Sequence, residues 1–196
     1  MRLSLRERRR LETAKDIQRV TLKLAIENGF ENVTTEAIAE AAQISTRTFF
    51  NYYSNKEAAA VGHPPKFSDE DCAALREGQN PLAQDLRHFL GQHLAHLTDD
   101  EDIIRAIGLL LQENSKMRFM LDQHLAQLTS DLAEALQPRM PNRDLQLAQA
   151  LAEWAIHIIG RAIHFWIEAP DQPLSTAMDQ VWSNHLALAQ LLLDRP

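Results

Sequence analysis

Apolar residues recur every three or four positions along nearly the whole chain, and no stretch of any length alternates apolar with polar at a period of two. The pattern predicts a first helix from about Arg6 to Asn28, with Ile17, Val20, Thr21 and Leu24 on one face, ended by Gly29. A short second helix follows Thr34 or Thr35, either of which can cap it, and buries Ile38, Ala39 and Ala42. After a turn at Gln43 and Ile44, Ser45 can cap a third short helix that ends near Tyr53. Asn55 can cap a fourth, which fails at Gly62-His63-Pro64-Pro65. The two prolines there disfavour helix on their amino-terminal side and mark the strongest boundary in the chain.

Beyond that boundary, Lys66 to Asn80 is polar and poorly periodic and reads as a linker or an irregular helix. Regular spacing returns in three helices. Leu82, Leu86, Phe89, His93 and Leu97 mark one, Ile103, Ile107 and Leu110 another, and Met117, Leu121, His124, Leu128 and Leu132 a long third stopped by Pro138 and Pro141. Arg143 to Glu168 and Leu174 to Leu193 complete the set, divided by Pro170 and Pro173. The fold class is therefore all-α: a helix-turn-helix domain over residues 1–62 and a larger helical domain over residues 63–196.

Charge sharpens this division. The net charge of −7 argues at first against a nucleic-acid partner. Split at Gly62, however, residues 1–62 hold 10 Lys/Arg and 8 Asp/Glu, whereas residues 63–196 hold 10 and 19. Eight of the bases lie in the first 23 residues: Arg2, Arg6, Arg8, Arg9, Arg10, Lys15, Arg19 and Lys23. A basic end on an acidic body suits a phosphate-facing module attached to a domain that stays away from phosphate. The residues ahead of the first helix can reach a minor groove or serve as a basic tail. A mean hydropathy of −0.31 and the interruptions at His157, Gly160, Arg161 and His164 exclude a membrane span. The basic start MRLSLRERRR has no apolar run behind it, so no secretory leader is expected. A single cysteine, Cys72, allows no internal disulfide, and the expected location is cytoplasmic.

Two short helices joined by a three-residue turn and braced by a longer one form a helix-turn-helix. Within it, Phe49 and Tyr53 lie four apart and point inward, while Arg47 and Asn51 fall opposite and point outward. Arginine can read guanine and asparagine adenine in the major groove, which makes Arg47 and Asn51 the base-reading candidates. Thr46, Thr48 and Tyr52 lie on the flanks with hydroxyls suited to phosphate, and Lys56 opens the fourth helix where its ammonium can meet another.

Ile17 through Phe30, then TTEAIAEAA from Thr34, STRTFFNYY from Ser45, and Lys56-Glu57 together resemble the amino-terminal domain of the tetracycline-repressor (TetR) family, without a gap over roughly sixty residues. The resemblance implies backbone contacts from Thr34 and Thr35 at the start of the second helix. Ser45 and Phe50 complete the expected DNA-facing set. The family usually has Gly in the turn where Gln43 stands, at a position that favours left-handed backbone. It often has Tyr where Phe50 stands.

The rest of the chain is similar to the family in helicity and length. Projected as a helix, Arg143 to Glu168 carries Gln146, Gln149, Glu153, His157, Gly160, Arg161, His164 and Glu168 in one polar stripe, with an apolar arc around the remainder. The last helix is also apolar on more than one side, which suits a four-helix interface with a second copy. The resemblance likewise implies a homodimer through the last two helices and a small-molecule pocket in the body. Candidate lining residues are Phe89, His93, Phe119, His124, Trp154, His157, Arg161 and Phe165, each of which can equally be core. The polar stripe can face either a pocket or solvent. His93/His96 and Glu153/His157 have usable ligand spacings, but without cysteine clusters no metal and no cofactor are expected. No GxSxG, HExxH or phosphate-binding glycine loop is present, so no enzyme is expected. The function implied is a ligand-responsive dimeric repressor on a palindromic DNA operator, released by a small-molecule effector. The alternative is an effector-independent architectural or cell-cycle DNA-binding protein on the same scaffold.

Overall fold

A computed structural model describes residues 4–169 and 171–193. Their regular structure is helical, as the periodicity requires, and among them the α-helices number ten. They are α1 (Leu5–Asn28), α2 (Thr35–Ala41), α3 (Thr46–Phe50), α4 (Lys56–Val61) and α5 (Asp69–Glu77), followed by α6 (Leu82–Leu97), α7 (Glu101–Leu110), α8 (Ser115–Leu136), α9 (Leu145–Glu168) and α10 (Leu174–Leu193). Two compact units result. One comprises the chain up to Pro64 with Asp100–His124, and the other Pro65–Asp99 with the chain from Leu125 onward. The first unit thus ends its leading segment at the Pro64-Pro65 step and recruits α7 and the start of α8 from far along the chain.

In the first unit the short helices are fixed mainly by their caps. Ser4 and Glu7 form a reciprocal capping box at the start of α1, which holds the Glu7 carboxyl below its ordinary range. Gly29, at φ 82°, ends that helix. Thr34 Oγ1 accepts from the Ala37 amide at 3.1 Å, Ser45 Oγ from the Thr48 amide at 3.0 Å, and Asn55 Oδ1 from the Ala58 amide at 2.7 Å. Helices this short are unstable alone and depend on a shared core. Ile17, Ile38, Phe49, Ala59 and Ala60 are fully enclosed there, and Met117 packs in from α8. Gln18, itself buried, donates to the carbonyls of Ala60 and Val61 at 3.1 and 2.9 Å, which satisfies the end of α4. Gly62 is needed twice: its φ is 69°, and a Cβ there would lie 2.2 Å from the Gln18 side chain. Lys15 and Arg19 on α1 pair with Asp100, and Arg19 also with Asp102, which ties α1 to the start of α7.

The second unit corrects one expectation. The polar segment after Pro65 contains a regular helix, α5, capped by Ser68 and anchored by buried Phe67 and Leu75. Its place is fixed from a distance. Arg139 donates to the Leu75 carbonyl, to Asp85 Oδ2 at 2.6 Å and to the Asn80 carbonyl, joining α5 and α6 to the turn after α8. Hydrogen bonds from Asn80 and Arg139 hold the Asp85 carboxyl below its ordinary range. The third helix of the chain is also shorter than its periodicity suggests, since α3 stops at Phe50 and Asn51 to Tyr53 form a turn that keeps the inward direction of Tyr53. Pro138 and Pro141 sit in 3-10 turns after α8, and Asp144 caps α9. Pro170 lies outside the described residues.

Candidate nucleic-acid interface

The turn between α2 and α3 places Gln43 at φ 56°, the left-handed geometry expected of that position. The turn closes on the Ile44 amide, which donates to the Ala39 carbonyl at 2.9 Å. Phe49 on α3 is fully buried and Tyr53 in the turn after it nearly so, and the Tyr53 hydroxyl donates to the Ala14 carbonyl at 3.0 Å. Burial pushes the Tyr53 phenol up to about 12. With that face anchored in α1, Arg47 and Asn51 stand exposed on the other side.

Around them, Thr34 is exposed and Thr35 half-buried at the start of α2; Thr46 and Tyr52 are half-buried, and Ser45 is exposed. The Ser45 and Thr48 hydroxyls lie 2.8 Å apart in a hydrogen bond of their own, so their first role is to cap α3. The Phe50 ring is 53% exposed and meets Phe49 edge-on, 5.3 Å between ring centres.

Sequence reasoning missed one member of this surface. The Arg10 guanidinium lies over the Tyr52 ring, 5.8 Å from its centre. Because α1 begins at Leu5, Arg6, Arg8, Arg9 and Arg10 are helical and exposed. Arg2, the remaining base of that cluster, and the other residues of the proposed leading tail up to Leu3 lie outside the described residues.

Lys56 departs from its expected place. Its ammonium donates to the carbonyls of Phe30, Glu31 and Val33 at 2.9, 3.2 and 3.0 Å and rests 5.0 Å from the centre of the Phe30 ring. The three N–H groups of an ammonium are thereby all engaged within the chain.

The eight pocket candidates are divided between the two units. Phe89 and His93 are buried together in the second unit, with Phe67 at 4.8 and 4.6 Å between ring centres. Trp154 packs on Trp182 at 5.4 Å, and His185 stands 6.0 Å from both Trp154 and His157. His157 and Arg161 are exposed, as is every residue of the polar stripe on α9, because the Ala and Ile arc of that helix takes the core. Phe165 is half-buried. Phe119 and His124 belong to the first unit, where Phe119 is 62% exposed and His124 is half-buried near His63 and Tyr53. Among the described residues no three His, Cys, Asp or Glu side chains are placed to hold a metal ion, and no helix is long and apolar enough to cross a membrane.

Residues 17–58, which span α1 to α4, match the family described as bacterial regulatory proteins, tetR family. The transcriptional regulator TcmR of Streptomyces glaucescens is 36% identical over 81 residues, which cover 40% of this chain and 36% of TcmR. The amino-terminal segment of the chain is thus similar to TetR-family regulators. The matched segment spans about a third of TcmR, and the family match lies within residues 17–58. A TetR-family transcriptional regulator from Syntrophomonas wolfei has the same fold across 91% of this chain and 95% of its own, with a TM-score of 0.67 and 17% identity. The TetR-family repressor FadR of Thermus thermophilus, solved with lauroyl-CoA, aligns over 86% and 90% with a TM-score of 0.52 and 22% identity.

Proposed function

We propose that this chain is a TetR-family dimeric transcriptional repressor that reads a palindromic DNA operator and is released by a small-molecule effector. The observation that carries the reading is α3 with the turn after it, where Phe49 and Tyr53 are buried, Tyr53 bonded to α1, and Arg47 and Asn51 are left to face a major groove. Thr34, Thr35, Thr46, Phe50, Tyr52 and Arg10 surround the two base readers and supply backbone and methyl contacts, while Ser45 and Thr48 fix the helix that presents them. Residues 1–62 are the DNA-binding domain in this reading, and residues 63–196 pair and sense.

A dimer through α9 and α10 is supported by apolar surface that one chain leaves uncovered. On α10, Leu186, Leu188, Leu191, Leu192 and Leu193 are 43–79% exposed. A surface of this kind on a helix end marks a partner site. Gly160 adds to this. It weakens the middle of α9, and a Cβ there would meet nothing within 4 Å in its own chain, so close approach by a second helix accounts for it.

The experiment is selection of genomic DNA fragments by the purified protein, followed by release with candidate effectors. Acyl-CoA thioesters come first, because the FadR neighbour holds lauroyl-CoA. Recovery of a shared inverted repeat supports the reading, and recovery of random fragments overturns it. Release by an added compound separates it from an effector-independent protein.

A further inference from the structure

Resting on the DNA-binding reading above, we infer that Lys56 is a positioning residue that sets the start of α2 and is not itself a phosphate ligand. Its position in the sequence, first in α4, suggests an ammonium free to meet DNA. The geometry spends that ammonium elsewhere. Three carbonyl oxygens converge on it, from Phe30, Glu31 and Val33, all at 2.9–3.2 Å. They belong to the 3-10 turn at Phe30–Asn32 and the residue after it, and the Phe30 carbonyl also accepts the Val33 amide that closes the turn. The Phe30 ring closes a further side of the charge at 5.0 Å.

The next residue along the chain is Thr34, the cap of α2, whose Oγ1 holds the Ala37 amide. Lys56 therefore joins the first turn of α4 to the segment from which α2 starts. α4 is in turn held on α1 by the Gln18 bonds at its far end. A phosphate that recruited this ammonium would strip charge-assisted bonds from three carbonyls, those of Phe30 and Val33 part-buried, and each bond so lost costs more than an ordinary hydrogen bond. Lysine suits the role because a single charged centre with three rotatable donors can satisfy three converging acceptors. A planar guanidinium cannot reproduce that arrangement.

The charge-conserving variant separates the two roles. Wild type, Lys56→Arg and Lys56→Met are compared on a duplex recovered by wild type from a randomised library, over a range of salt concentrations. Amide exchange across residues 33–37 is followed in the free proteins. Positioning predicts that both variants lose affinity by at least about tenfold. It also predicts that both keep the wild-type slope of log affinity against log salt, and that both exchange faster at 33–37. A phosphate ligand instead predicts near wild-type binding by Lys56→Arg and a slope reduced by about 0.9 in Lys56→Met. Either of those results overturns the inference, and so does unchanged affinity alongside faster exchange. If Lys56→Met does not fold, the Lys56→Arg comparison still decides between the roles. Failure of wild type to recover any duplex overturns the DNA-binding reading instead, and is seen before either variant is tested.

Discussion

Arg47 and Asn51 owe their direction to what lies beneath them: α3 and the turn after it have one face buried through Phe49 and Tyr53, so the residues opposite must meet solvent or DNA. Arg47→Ala should relax the preference at one base position in each half-site and cost about 1–3 kcal/mol, measured on a randomised operator library. Tyr53 carries a pH signature. Its phenol rises from 10.0 to about 12 because burial disfavours the anion, so the folded state holds the proton more tightly than the unfolded state. The stabilisation is complete below pH 10 and is lost as pH rises from there through 12. Melting curves across that range should show an alkaline fall for wild type that Tyr53→Phe lacks, with Tyr53→Phe about 1 kcal/mol less stable at neutral pH through the lost bond to Ala14. Both inward residues were legible from spacing alone. Lys56 was not, because the three carbonyls that capture it lie 23 to 26 positions earlier in the chain and carry no side-chain signal. Arg10 was equally invisible as a partner of Tyr52, since cation–π pairing depends on how α1 crosses the end of α3.

The elements of the first unit could be placed from sequence because each begins at a capping residue that can be named in advance: Thr34, Ser45 and Asn55 all cap as their positions suggest. α5 could not, because its anchors Phe67 and Leu75 are sparse and its place is set by Arg139, more than sixty residues away. Gln43 is the one strained point in the helix-turn-helix, a side chain in left-handed backbone where glycine would rest freely. Gln43→Gly should raise the stability of the domain by up to about 1 kcal/mol, the relief of strain exceeding the entropy that glycine loses on folding. Chemical denaturation followed by a helix signal would measure it. A fall in stability would mean that the Gln43 side chain makes a contribution larger than its strain.

At the scale of the molecule, the charge argument changes once the units are known. The first 62 residues carry two more bases than acids, but the recruited segment Asp100–His124 brings Arg105, Lys116 and Arg118 against Asp100, Glu101, Asp102, Glu113 and Asp122. The compact first unit is therefore close to neutral. Its positive potential is local, because Lys15 and Arg19 are neutralised by Asp100 and Asp102 while Arg6 to Arg10 and Arg47 stay exposed. Pairing belongs to this scale too. Leu188→Glu with Leu192→Glu should convert a dimer to a monomer by light scattering and weaken operator binding, while the helical content of each chain is kept, because both side chains already face outward.

The most direct measurement is a hydroxyl-radical footprint of the protein on a DNA fragment that it selects. Two protected patches related by inversion, with major-groove centres about one helical turn apart, are predicted from two copies each presenting one α3. A single protected patch, or uniform protection without boundaries, would contradict a dimeric reader built on Arg47 and Asn51.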